Sequence, residues 1–184
     1  MSGRDRLVLE PIARAPQVGL LLAALEDGRR RTLLELASVD EDMLGRRPAA
    51  LPLHTIGQLL YHVALIEADW VLSEIQELPE SAWPSWVEAA FPVDVRDGGG
   101  RLSDVPPESM DSALDRLARV RSHVLDAIGA LDDAELHRVR SLTPYDVSPA
   151  WAVHHLVQHE AEHRAHICLI RDRCLAGGEP MRGV

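Results

Sequence analysis

The sequence predicts an all-α protein, a four-helix bundle with a long crossover connection between its second and third helices. Four segments show the 3.6-residue spacing of apolar side chains that is typical of amphipathic helices. No segment alternates apolar and polar residues convincingly, as a half-buried strand would. The chain has 184 residues, a length that fits one hydrophobic core, so we expect a single domain over residues 1–184.

The first helix is predicted from Gln17 to Val39. Its leucines recur at helical spacing and can form one apolar stripe along the helix. The Asp27-Gly28 pair is expected to weaken the middle of this helix, because glycine has a low helix propensity. The predicted core stripe contains Leu21, Leu25, Leu33 and Leu36.

The second helix is predicted from Ile56 to Glu77, after a polar turn that contains Pro48 and Pro52. Thr55 precedes this helix and is a suitable N-cap, because its hydroxyl can accept a hydrogen bond from a free backbone N–H group.

The third and fourth helices are predicted in the second half of the chain. The third begins at residue 107 or 108 and runs to residue 130. The fourth has Ser148 as its N-cap and Pro149 in its first turn, where the missing N–H group of proline does no harm. It is expected to end before Gly177-Gly178.

About thirty residues connect the second and third helices, and they include several prolines and the run Gly98–Gly100. Loops of this length in compact domains are often functional. The closely spaced Trp83 and Trp86 favour a connection that packs over the open end of the bundle. The alternative is a mobile excursion from the surface.

The composition argues against several kinds of partner. A formal net charge of −10 disfavours nucleic acid and anionic membrane surfaces, both of which bind basic proteins. The longest apolar stretch, residues 18–25, is too short to span a bilayer, and no signal peptide is readable. We therefore expect a cytoplasmic protein that acts on a small molecule. Cys168 and Cys174 form no C-x-x-C pair and are not expected to form a disulfide.

Histidines are concentrated on the predicted fourth helix. The chain has nine, and five of them fall in this helix. Side chains four residues apart on a helix share a face, about 5–6 Å apart at Cβ, so two such imidazoles can bind one ion. Two overlapping pairs have this spacing, 155/159 and 159/163. The five residues are His154, His155, His159, His163 and His166.

The second helix supplies a third candidate ligand. His62, within LLYHVALIEADW, lies at the edge of the apolar face and is expected to point toward the bundle interior. A lone histidine there would more often be a packed core residue, but together with the fourth-helix pairs it indicates a divalent metal site. Three imidazoles accept zinc, nickel, iron or manganese, so the pattern does not choose among these ions. The remaining histidines, His54, His123 and His137, are expected to be solvated.

The segment His159-Glu160-Ala161-Glu162-His163 also matches the H-E-x-x-H pattern of zinc proteases. In such a site Glu160 would be the general base, beside a third ligand further along the chain. No downstream histidine or acid fits that position, and we therefore disfavour a protease.

The pairing of LLYHVALIEADW with SPAWAVHHLVQHEAEHRAHICLIRDR resembles the DinB/YfiT-like family of metalloenzymes. In that family a histidine midway along the second helix joins an H-x-x-x-H pair on the last helix. The resemblance covers most of the chain and implies a four-helix bundle with His62, His159 and His163 as metal ligands. His155 offers a competing register, 155/159. In the 159/163 register, His155 and His166 become pocket residues or support the ligands, and Glu160 or Glu162 fixes the tautomer of a ligand.

The resemblance also implies a reaction class, because some members look like transferases that use low-molecular-weight thiols such as mycothiol or bacillithiol. Three imidazoles leave an open coordination position that can bind a thiol. Arg164 would then pair with a carboxylate of the thiol, and the pocket would be formed by Trp83, Trp86, Tyr145 and Trp151. The alternatives are a metal-dependent hydrolase and a non-catalytic metal- or ligand-binding bundle. Homodimers are common in the family, so the resemblance implies a homodimer.

Overall fold

The computed structural model describes residues 8–47, 54–143 and 145–176. It confirms an all-α bundle built on four long helices. A π-helix, Trp70–Ile75, continues α3, and a 3₁₀ turn, Glu80–Ala82, follows it. In chain order the helices are α1 (Pro16–Leu36), α2 (Glu41–Leu44), α3 (Ile56–Asp69), α4 (Ser85–Ala90), α5 (Met110–Gly129), α6 (Asp133–His137) and α7 (Pro149–Leu175).

Local sequence signals set the starts of the long helices. Thr55 and Gln58 form a capping box at α3, in which each side chain bonds the other residue's backbone N–H group. Ser148 accepts a hydrogen bond from the Trp151 N–H group and caps α7, as predicted. Ser109 caps α5 in the same way, so that helix begins at Met110, a few residues later than predicted.

The apolar stripe of α1 differs from the prediction. The buried apolar residues are Val18, Leu22, Ala23, Leu25 and Leu36. Leu33 is 43% exposed, and Leu21 is only partly buried against the core. Two polar residues, Arg29 and Thr32, continue the buried line between Leu25 and Leu36. The helix passes through Asp27-Gly28 without a break.

A small hairpin was not predicted. Its strands, β1 (Arg140–Ser141) and β2 (Asp146–Val147), pair antiparallel just before α7. Strands of two residues are too short to show a two-residue alternation. The last helix ends at Leu175, before Gly177-Gly178, as predicted. The predicted turn at Pro48 and Pro52 lies outside the described residues.

The crossover between the π-helix and α5 packs on the bundle. Val87 of α4 is buried in the core. Val93 is held against α3 by two hydrogen bonds to the Tyr61 hydroxyl, which donates to its carbonyl at 2.6 Å and accepts from its N–H group at 3.0 Å. These contacts favour the packed arrangement over a mobile excursion. In the described part of the chain no helix is long and apolar enough to cross a membrane.

The four long helices each contribute one charge to a buried ring of ion pairs. Arg29 of α1 binds Glu67 of α3 at 2.7 Å and Glu160 of α7 at 2.8 Å. Arg121 of α5 binds the remaining oxygens of the same two carboxylates, with Glu160 at 2.9 Å. All four residues are at most 6% exposed. The ring has no net charge, and each carboxylate bridges both arginines.

Backbone carbonyls complete the hydrogen bonding of this ring. Arg29 also donates to the Leu117 carbonyl, and Arg121 donates to the Leu25 carbonyl. Burial by itself would raise the pKa of Glu160, but the two arginines outweigh it and hold that pKa below its ordinary value. A buried charge is costly when its partner is removed, so the ring opposes any sliding of one helix along another.

We expect Glu67→Gln to lower the free energy of unfolding by about 3 kcal/mol, because it leaves two buried arginines with one carboxylate between them. Urea denaturation followed by circular dichroism measures this change. The matched control is Glu26→Gln, which removes a half-exposed carboxylate that also binds Arg121 and should have little effect. Equal effects of the two substitutions would contradict the role assigned to the ring.

Candidate metal centre

Three imidazoles from two helices meet at one point. His62 of α3 is 6% exposed, and His159 and His163 lie one turn apart on α7. The Nε2 atom of His159 is 3.0 Å from that of His62 and 3.1 Å from that of His163. The candidate ligand atoms of all three lie within 4.8 Å of one another.

This convergence fits a metal better than it fits hydrogen bonds. A ring nitrogen of a neutral imidazole carries either one proton or one lone pair in the ring plane. His159 Nε2 can therefore share a proton with only one of its two neighbours, although both lie at hydrogen-bond distance. A divalent cation bound by the three lone pairs satisfies all three nitrogens together. The donor set fits such an ion.

Burial keeps these imidazoles neutral. Desolvation, helped by neighbouring histidines, lowers the pKa of His62 to about 4, of His159 to about 3 and of His163 to about 4. At neutral pH each ring is therefore unprotonated on one nitrogen and has a lone pair there. This neutral imidazole is the form that binds a metal.

The cluster faces a pocket of about 400 Å³. The crossover contributes Arg96 and Leu102 to its walls, so the long connection does cover part of the site. His54 also lines the pocket and is partly buried, which lowers its pKa, so its ring is only partly solvated. The other lining residues beside the three clustered histidines are Leu59, His166 and Ile170.

His155 lies outside the cluster. Its ring stacks on Trp151, with centroids 5.3 Å apart and planes at 9°, and also contacts Trp70 at 4.6 Å. Its centroid is 5.8 Å from that of His159. The structure thus brings together the 159/163 pair and not the 155/159 pair.

Three side chains expected beside the metal have other positions. Both oxygens of Glu160 bind arginines of the buried ring, Glu162 is exposed, and Arg164 donates to the Gly28 carbonyl of α1. None of them lines the histidine pocket. The Nδ1 atoms of His62 and His163 are buried and have no hydrogen-bond partner among the described residues, so no carboxylate fixes their tautomers. The position of Glu160 also removes the general base that a zinc protease needs.

The aromatic residues expected around the metal do not line the histidine pocket. Trp83 lies in a pocket beneath the crossover, and Trp86 packs edge-on against His123. Tyr145 and Trp151 line a separate pocket on the far side of His155. Arg96 was not predicted as a pocket residue, because nothing in the sequence shows which side chains of a long connection turn inward.

Comparisons with known proteins agree with this fold. The family model of the DinB superfamily matches residues 24–167. The uncharacterized protein YkkA of Bacillus subtilis (strain 168) is 26% identical over 157 residues, which are 83% of this chain and 85% of that protein. A crystal structure of a conserved protein from Enterococcus faecalis superposes with a TM-score of 0.63 at 19% identity, over 86% of this chain and 96% of that one. The structural likeness supports the fold alone.

The position of His155 leads to a test of the ligand set. After loading with zinc, His155→Ala should retain one ion per chain, because its ring stacks on tryptophans instead of joining the cluster. His163→Ala should lose most of the bound zinc while keeping its helix content, since His163 is only half-buried. Elemental analysis beside circular dichroism measures both. Loss of the ion from His155→Ala with retention by His163→Ala would mean that the 155/159 register is the correct one.

Proposed function

The chain belongs to the DinB superfamily, and on that premise we propose that it is a metal-dependent transferase that uses a low-molecular-weight thiol. The thiol is of the mycothiol or bacillithiol type, and its sulfur attacks a small electrophile. The observation that carries the proposal is the meeting of three neutral imidazoles at the wall of an open pocket.

His62, His159 and His163 would hold the ion, and their neutral state at pH 7 leaves the lone pairs free to do so. A divalent ion bound by three imidazoles supplies a position at which a thiol binds and loses its proton near neutral pH. Apolar Leu59, Leu102 and Ile170 surround the cluster and exclude water from part of the pocket.

The lining of the pocket supports a thiol over a water nucleophile. Hydrolysis commonly uses a carboxylate base beside the metal. Among the described residues that line this pocket there is no carboxylate, and Glu160 is held by Arg29 and Arg121. A thiol needs no such base, because coordination to a metal is sufficient to deprotonate it.

Arg96 gives the pocket its positive charge. It lies on the crossover, where it donates to the Gly100 carbonyl at 2.8 Å. Together with the imidazoles of His54 and His166 it offers donors to the anionic or hydroxyl groups of a thiol. In the proposed reaction the sulfur bonds to an electrophilic carbon, the leaving group departs with the electron pair of the broken bond, and the thiol proton passes to water.

The proposal predicts that the zinc-loaded protein accelerates the reaction of mycothiol or bacillithiol with monochlorobimane, in which chloride is displaced and fluorescence rises. His163→Ala should lower this rate by at least about 100-fold, because the ligand set is broken. The matched control is His137→Ala, which removes an exposed histidine outside the pocket and should react like the wild type.

Two outcomes would contradict the proposal. One is the absence of thiol-dependent acceleration by the metal-loaded protein with either thiol. The other is metal-dependent hydrolysis of p-nitrophenyl acetate without any thiol, together with no reaction of monochlorobimane, which would indicate a hydrolase.

A further inference from the structure

A second pocket, of about 600 Å³, lies on the far side of His155 from the histidine cluster. Three aromatic rings surround it: Trp70 begins the π-helix, Tyr145 belongs to the turn of the hairpin, and Trp151 lies in the first turn of α7. The Trp70 centroid is 6.0 Å from that of Tyr145 and 5.5 Å from that of Trp151. Tyr145 is 41% exposed and Trp151 is 53% exposed, so part of each ring is accessible to a ligand, although one face of Trp151 is stacked on His155.

Carboxylates accompany these rings. Asp146 lines the pocket directly. Glu74, one turn beyond Trp70, is only 9% exposed, and its Oε1 atom accepts a hydrogen bond from the Tyr145 hydroxyl at 2.9 Å. Its Oε2 atom is buried and has no hydrogen-bond partner among the described residues.

No basic side chain in the described part of the chain compensates Glu74. The charge that acts on it is a second carboxylate, Asp69, and burial raises the pKa of both acids. Two arginines lie nearby, Arg138 at the end of α6 and Arg140 of β1, and both are beside Glu77 and Glu135. An acid buried under aromatic rings without a counter-ion is costly, and a cation from outside the chain would offset that cost.

We propose that this pocket binds an organic cation that carries a methylated ammonium group. The faces of Trp70, Tyr145 and Trp151 present negative potential to such a group, and their apolar surface suits its methyl groups. Asp146 lines the pocket, and Glu74 lies buried next to it, where it accepts a hydrogen bond from the Tyr145 hydroxyl; these two acids supply the opposite charge. An anion finds no basic side chain among the lining residues, and a hard metal ion would find one accessible carboxylate where it needs several oxygen ligands.

This site is separate from the histidine cluster. The ring of His155 stands between Trp151 and His159, and no ligand candidate of the cluster lines the aromatic pocket. Binding of the cation should therefore not require metal.

The test compares choline with 3,3-dimethyl-1-butanol, a neutral alcohol of nearly the same shape in which carbon replaces the charged nitrogen. Tryptophan fluorescence should change saturably with choline, because Trp70 and Trp151 line the pocket, and the neutral alcohol should produce no comparable change. The metal-free protein should bind choline as well as the zinc-loaded protein does.

Two variants assign the binding to this pocket. Glu74→Gln keeps an oxygen for the Tyr145 hydroxyl and removes only the charge, and Trp151→Ala removes an exposed ring without opening the core. Each should weaken choline binding by about tenfold or more. Trp86→Phe, which alters a tryptophan beside His123, should bind like the wild type. Circular dichroism confirms that each variant is folded.

Equal binding of the neutral alcohol would overturn the proposal and leave an apolar pocket without preference for charge. Unchanged choline binding in both Glu74→Gln and Trp151→Ala, or no binding at millimolar choline, would also overturn it. Because the site needs no metal, these outcomes are independent of the proposed transferase activity.

Discussion

A ring of four buried charges, one from each long helix, determines how the helices of this protein align. Arg29, Glu67, Arg121 and Glu160 are all buried inside the bundle, where most side chains are apolar. An apolar core tolerates small shifts of one helix along another, since most apolar contacts can be exchanged. Paired buried charges do not, because a shift of one turn leaves each of them without its partner.

The histidine cluster depends on that alignment. Glu67 follows His62 by five residues on α3, a rise of about 7.5 Å, and Glu160 directly follows His159 on α7. The ring therefore fixes how far α3 and α7 are displaced along their axes relative to each other, near the place where His62 meets His159. The ring adds no net charge near the imidazoles. Burial therefore still lowers the pKa of His62 and His159 and keeps both rings neutral.

The sequence was sufficient for the elements with strong local signals. The four helices follow from apolar spacing and caps such as Thr55 and Ser148, and the convergence of His62 with His159 and His163 follows from helical geometry and the family resemblance. The buried ring could not be predicted in the same way. Its partners are separated by up to 131 residues, and an arginine in an apolar stripe looks like the edge of that stripe.

The same limitation explains the other differences. The predicted stripe of α1 ran through Leu33 and left out Arg29, although Arg29 is the buried residue of the two. Trp83 and Trp86 were predicted at the metal pocket, which neither of them lines, because the path of the crossover is set by tertiary contacts such as Tyr61 to Val93. The pocket residues His54 and Arg96 come from irregular segments, where no periodicity indicates the direction of a side chain.

The most direct test of an open three-histidine site is X-ray absorption spectroscopy of the zinc-loaded protein, before and after addition of a small thiol. We expect three imidazole nitrogens and one further light atom at about 2.0–2.1 Å, with the light atom replaced by sulfur at about 2.3 Å when the thiol is added. A closed set of four protein ligands that the thiol does not displace would contradict the open site and leave the ion with a structural role.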